Sequence, residues 1–150
     1  MRSAVETMLL IRALETRLQA LCDAGECKAD LHFGTGQEAI AAGVCAALSP
    51  QDVVVCHHRM IPWAVARGVP LLPLVAELLG KQGGINGGHG GEMALTAPEH
   101  GFLMSFQLVG TAVPVAAGAA WALKHVKRTG AWWWWCVGMR RQLTGSSTRG

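Results

Sequence analysis

Residues 4–22, AVETMLLIRALETRLQALC, carry apolar side chains at helical spacing, with Glu6, Arg12, Glu15 and Arg17 on the other side. That period sets one stripe of the segment against a core and predicts an amphipathic helix ending near Gly25. Residues 37–48, QEAIAAGVCAAL, give a second helix, rich in small residues that allow close packing and stopped by Ser49-Pro50. The run QDVVVC is short and β-branched, the pattern of a buried parallel strand. Residues 69–81, VPLLPLVAELLGK, predict another helix with proline near its first turn. Periodicity then stops. GGINGGHGG, residues 83–91, has six glycines in nine positions and cannot be the interior of a helix or strand. Residues 109–126 turn helical again. Helices alternating with a buried strand, with no repeat at a fixed period, define α/β layers.

One stretch has a second reading. From Gly101 to Leu123 there is no formal charge, enough length to span a bilayer, and Lys124, Lys127 and Arg128 follow. Its Ala, Gly and Thr, with Gln107 and Pro114 inside, suit burial between protein layers better than insertion into lipid. The chain has 150 residues, 51% of them hydrophobic and 15% charged, which fits one folded domain. All Asp and Glu lie at or before Glu99, and the +3 net charge resides in Arg140, Arg141 and Arg149. A basic balance confined to the tail does not indicate a nucleic-acid partner. The apolar run MLLI is too short for a secretory signal, and the five cysteines include no CxxC pair. Both features point to a reducing, cytoplasmic setting.

Three clusters carry candidate chemistry. His32 precedes GTGQEA, a polar loop opening a helix whose first amides either face an anion or cap a turn with no ligand. His57-His58-Arg59 follows the DVVVC strand, and loops at the carboxyl ends of parallel strands hold ligands. Arg suits a phosphate because its planar fork gives bidentate contact, although a solvated surface cluster has the same composition. Adjacent histidines on an extended segment point apart, and neither HxH nor HxxxH spacing supports a metal. The glycine loop is flexible enough to wrap a cofactor.

The order of the pieces is more specific than any one of them. MLLIRALETRLQAL, LHFGTGQEAIAAGVCAAL, HHRMIPWAVARGV, VAELLGKQGGINGGHGGEM and FLMSFQLVGTAVPVAAGAAWA follow one another over about residues 5 to 130. Together they resemble the alpha subunit of thiamine-diphosphate-dependent 2-oxo acid dehydrogenases, the first components of the pyruvate, branched-chain and acetoin complexes. The resemblance implies a doubly wound α/β thiamine-diphosphate-binding fold, present here only in its N-terminal part. It implies a heterotetramer in which the cofactor lies between alpha and beta subunits. It also implies decarboxylation of a 2-oxo acid and transfer of the acyl group to lipoamide on a lipoyl acyltransferase component. By the same resemblance, His32 sits near the reacting end of the cofactor, and His58 and Arg59 contact the diphosphate. Gln107 and Val109 fall where backbone groups hold the aminopyrimidine. Ile61, Ala94 and Gln107 depart from the family pattern. The first two remove polar groups and leave the particular 2-oxo acid open.

In that family a hydrophobic strand follows Gly130 and ends in Gly-Asp-Gly or Gly-Asp-Ala, whose Asp helps hold magnesium on the diphosphate. Here residues 131–139 read AWWWWCVGM, and the resemblance finds no metal ligand in this chain. Tryptophan has the single codon TGG, so Trp132 to Trp135 are encoded TGGTGGTGGTGG. Codons begun one base earlier read GTG, valine, through this run, and the positions beyond it admit Cys-Gly-Asp-Ala. The shifted frame can spell VVVVCGDAAATDGVFHE. Residues 1–130 are therefore expected to be a partial thiamine-diphosphate-binding domain and 131–150 an out-of-frame tail, leaving the chain inactive. The alternative is a small membrane- or partner-binding protein that uses the 101–123 segment and the Trp/Arg tail.

Overall fold

A computed structural model describes residues 3–27, 30–126 and 133–135. Helix α1 spans Ala4–Asp23, as its apolar period requires. Ser3 and Glu6 close a capping box at its start: the Glu6 amide donates to Ser3 Oγ at 3.2 Å and the Ser3 amide to Glu6 Oε2 at 2.7 Å. At its end Gly25 takes φ +78°, the Gly25 amide donates to Cys22 O and the Glu26 amide to Leu21 O. This left-handed cap satisfies two of the last carbonyls. Helix α2 is Glu38–Ala47, strand β1 is Val53–His57, helix α3 is Ile61–Ala66 and helix α4 is Leu71–Leu78. Helix α4 is shorter than the predicted 69–81. It starts after Pro70 and closes at Gly80 (φ +64°) with the same paired bonds, Gly80 N–H to Glu77 O and Lys81 N–H to Ala76 O.

The charge-free stretch 101–123 does not form one helix, which corrects the membrane-spanning alternative. Phe102–Phe106 is strand β2, residues 107–111 turn, and helix α5 begins only at Ala112 and runs to Val126. Among the described residues no helix is long and apolar enough to cross a membrane. The cause is packing: Phe102 enters the main core, whereas Leu103 and Phe106 meet Ala112 and Ala116 of α5. A Trp tail as a docking element lies outside the described residues except for Trp133–Trp135, the backbone of strand β3.

The three strands form one parallel sheet in the order β2-β1-β3. His57 pairs with Phe106 at one end, and Val53, Val54 and Val55 pair with Trp133, Trp134 and Trp135. Val54 and Cys56 face the core built by α1–α4, with Ile11, Leu18, Ile61, Leu74 and Leu78 buried there. Val55 faces α5. The sheet thus has helices on both faces, the doubly wound arrangement expected of the α/β class. After β1 the chain turns into α3 on one face, and after the neighbouring β2 it turns into α5 on the other. Adjacent parallel strands whose connections diverge in this way leave a crevice at their carboxyl ends.

Candidate functional site

That crevice is flanked by the loops carrying four of the five expected site residues. His58 and Arg59 follow β1, and Gln107 and Val109 follow β2, starting side by side because His57 is opposite Phe106. His32 comes from the loop before α2, and its ring meets that of His58 edge-on, with centroids 5.1 Å apart. The structure therefore brings His32, His58 and Arg59 together. Gln107 and Val109 are exposed on the turn after β2, with no side-chain contact to that trio among the described contacts.

Arg59 is the one non-glycine residue with positive φ (+58°) among those described. A left-handed arginine is an uncommon, costly backbone that persists where the surroundings enforce it, often at functional sites. The enforcing group is Glu92. Its Oε1 accepts from the Arg59 amide at 3.2 Å. Its Oε2 accepts from the His32 amide at 2.8 Å and lies 3.3 Å from His32 Nδ1. Glu92 is in turn fixed by Ser105 of β2, whose hydroxyl donates to Glu92 O at 2.7 Å and accepts from the Leu95 amide at 3.0 Å.

The glycine loop that delivers Glu92 does not hang open as expected for a cofactor wrap. It is folded around the carboxylate of Glu77. Oε2 accepts from the amides of Asn86 (2.7 Å) and Gly88 (2.8 Å), and Oε1 from those of Gly90 (2.7 Å) and Gly91 (3.0 Å). Glu77 is fully buried. Burial alone would raise its pKa, but the four amides together outweigh it and hold the carboxyl below its ordinary value. Gly84 is required by close approach, since a Cβ there would lie 2.6 Å from Glu77 Cα.

Two more carboxylates organise the His32 side. Buried Glu15 accepts from the Gly34 amide at 2.8 Å and from Thr35 Oγ1 at 3.1 Å, and burial pushes its pKa up. Just ahead of α2, Gly36 N–H donates to both oxygens of Glu38, at 3.0 and 3.1 Å. Arg12 Nε donates to Glu38 Oε1 at 2.5 Å, and this pairing, with the Gly36 amide, lowers the Glu38 pKa to about 2. Glu77 escapes a reading by motif because all four of its partners are backbone amides, and Glu15 and Glu92 because theirs are distant in sequence. The available signal was an acid placed inside an apolar helix, as at Glu77 in LLPLVAELLG.

His57 ends β1 buried, on the strand face shared with Val55, with no partner for either ring nitrogen among the described residues. Burial, reinforced by the nearby His58, lowers its pKa, so the ring is held neutral at pH 7. No group of three or more His, Cys, Asp or Glu among the described residues is arranged to hold a metal ion.

The fold and site thus define an α/β protein with a histidine–arginine cluster at the switch point of a parallel sheet, suited to an anionic ligand. The family model described as Dehydrogenase E1 component matches residues 6–138, and the chain belongs to that family. Similar curated proteins are the pyruvate dehydrogenase E1 component subunit alpha of Zymomonas mobilis and the mitochondrial one of Saccharomyces cerevisiae. The first is 39% identical over 119 residues, covering 79% of this chain and 34% of the relative. The second is 36% identical over 118 residues, covering 79% and 28%. The subunit alpha of Porphyra purpurea is 36% identical over 115 residues, covering 77% and 33%. The chain spans about a third of the length of the curated relatives it matches.

Proposed function

We propose that the crevice is the alpha-subunit half of a thiamine diphosphate site in a 2-oxo acid dehydrogenase. His58 and Arg59 would hold the diphosphate, His32 would lie near the reacting end, and the main chain at Gln107 and Val109 would line the aminopyrimidine. The observation that carries the reading is the convergence of His32, His58 and a backbone-strained Arg59 at the sheet's switch point. The residues fit the group. Glu92 takes the Arg59 amide, while the guanidinium has no hydrogen bond or ion pair among the described residues and suits a diphosphate. His57 adds a buried ring with unsatisfied nitrogens beside it.

Thiamine diphosphate, when bound, supplies the carbanion-stabilising chemistry of decarboxylation. This chain's own residues bind and orient. Arg59 offers charge-assisted hydrogen bonds, and the Glu92 clamp keeps it and His32 in fixed relation, so little ordering remains to be done on binding. In the proposed assembly a beta subunit completes the site, and a lipoyl acyltransferase component receives the acyl group. The exposed Leu108, Val109, Val113 and Trp121 suit burial against such a partner.

The proposal extends to residues 131–150 as an out-of-frame tail. Strand β3 lies where a valine strand is expected, parallel to β1, yet its backbone is built from tryptophans. Sequencing the DNA around codon 130 tests this. The expected result is a one-base displacement beneath WWWWC with a Gly-Asp-Ala frame, and an intact frame without one would overturn it. The site reading is tested on the chain with its frame restored and a beta subunit added. Calorimetric titration with thiamine diphosphate and magnesium should show binding. Arg59→Ala should weaken it by about 1.5–3 kcal/mol, roughly ten- to a hundredfold. Unchanged affinity would remove Arg59 from the diphosphate site.

A further inference from the structure

Glu92 commits both carboxylate oxygens to the two loops that carry the site, and one of those contacts bears on the chemistry of His32. A carboxylate only accepts hydrogen bonds. Oε2 lies 3.3 Å from Nδ1 of His32 and accepts from the amide of the same residue at 2.8 Å. A neutral imidazole placed there must carry its hydrogen on Nδ1, because two acceptors would otherwise face each other. The Glu92 carboxylate is held in place on its side of this contact. The Glu92 side chain is only 3% exposed, and its backbone is tied to Ser105. The His32 ring packs edge-on against His58.

We propose that Glu92 is a positioning residue that fixes His32 as the Nδ1–H tautomer and leaves Nε2 as an accepting atom. Every hydrogen bond that neutral His32 makes at Nε2 is then one it accepts. The group presented there by a ligand must be a donor, an O–H, N–H or S–H, and not a carbonyl oxygen or a carboxylate. Only this last consequence rests on the cofactor reading above; the tautomer itself follows from the contacts.

The test is two-bond 1H–15N correlation NMR on the full chain with 15N-labelled histidine, at a pH of about 8.5, where histidine is neutral. His32→Gln assigns the signal by its loss. The expected result is a protonated Nδ1 and an unprotonated Nε2 for His32, against the Nε2–H preference of a free side chain in water. Glu92→Ala should return His32 to the Nε2–H form, and Glu92→Gln, which keeps a carbonyl acceptor, should preserve more of the Nδ1–H form. An Nε2–H or evenly mixed His32 in the unsubstituted chain overturns the proposal, whatever the variants do. Failure of the frame-restored protein to bind thiamine diphosphate would sink the cofactor reading while leaving this tautomer intact.

Discussion

Glu77→Gln is expected to lower the unfolding free energy by roughly 3–5 kcal/mol, a large share of the 5–15 kcal/mol that holds a domain together. The carboxylate sits fully buried beneath the glycine loop and takes four backbone amides, two on each oxygen. Glutamine keeps the volume but replaces one oxygen with an NH2, a donor set against the N–H groups of either Asn86 and Gly88 or Gly90 and Gly91. Those amides lose their acceptor and gain a repulsion. Denaturant unfolding measures the loss, and amide exchange at Asn86, Gly88, Gly90 and Gly91 localises it. A shift of the midpoint worth under about 1 kcal/mol, ordinary for a single neutral hydrogen bond, would show that the loop is held by something else.

The same contacts give a pH dependence with a definite sign. The folded-state pKa of Glu77 is lowered from an ordinary value of 4.5. Its contribution is therefore fully present above that value and is lost as pH falls through the lowered folded value. Acid unfolding of the unsubstituted chain should be steeper below pH 4.5 than that of Glu77→Gln. The loop matters beyond stability because it ends in Glu92. Glu77 holds the loop, the loop places Glu92, and Glu92 sets His32 and the strained Arg59. Loosening the first link should release the last.

How much of this was legible in the sequence depended on whether burial left a period. Helices α1 and α2 and strand β1 were legible, since one has a clear apolar stripe and the others are small-residue-rich or β-branched runs with clear stops. Strand β2 was not. FLMSF buries Phe102 on one face and packs Leu103 and Phe106 toward the other, so the alternation that marks a half-exposed strand is missing. Helix α3, IPWAVA, buries five of its six residues and shows no polar side to read. At the site, His32, His58 and Arg59 were visible as side chains with chemistry. Their supports were not, because Glu77 and Glu92 act on main-chain amides brought near only by the fold, at separations of up to 60 residues.

The chain as it stands, with AWWWWCV after its last described helix, is expected to show no detectable thiamine diphosphate binding by calorimetry, even with magnesium present. A diphosphate brings several negative charges into the crevice. Arg59 supplies one permanent positive charge against them, and the buried Glu92, which accepts from the Arg59 amide, adds a negative charge to the same loops. The balance requires a cation, and magnesium is held by oxygen ligands, usually one or two carboxylates together with phosphate oxygens. No Asp or Glu follows Glu99 in the sequence. Strand β3 runs parallel to β1 and beside it, so its carboxyl end lies at the same edge of the sheet as His57–Arg59. A frame restored before residue 132 can encode Gly-Asp-Ala just beyond that end, a change that would bring a carboxylate to the edge where the phosphates would lie. Restoring it, with a beta subunit added, should turn an empty titration into binding in the micromolar range. Clear micromolar binding by the unaltered chain would mean that the crevice needs neither the missing carboxylate nor the metal, and would overturn the reading of the tail.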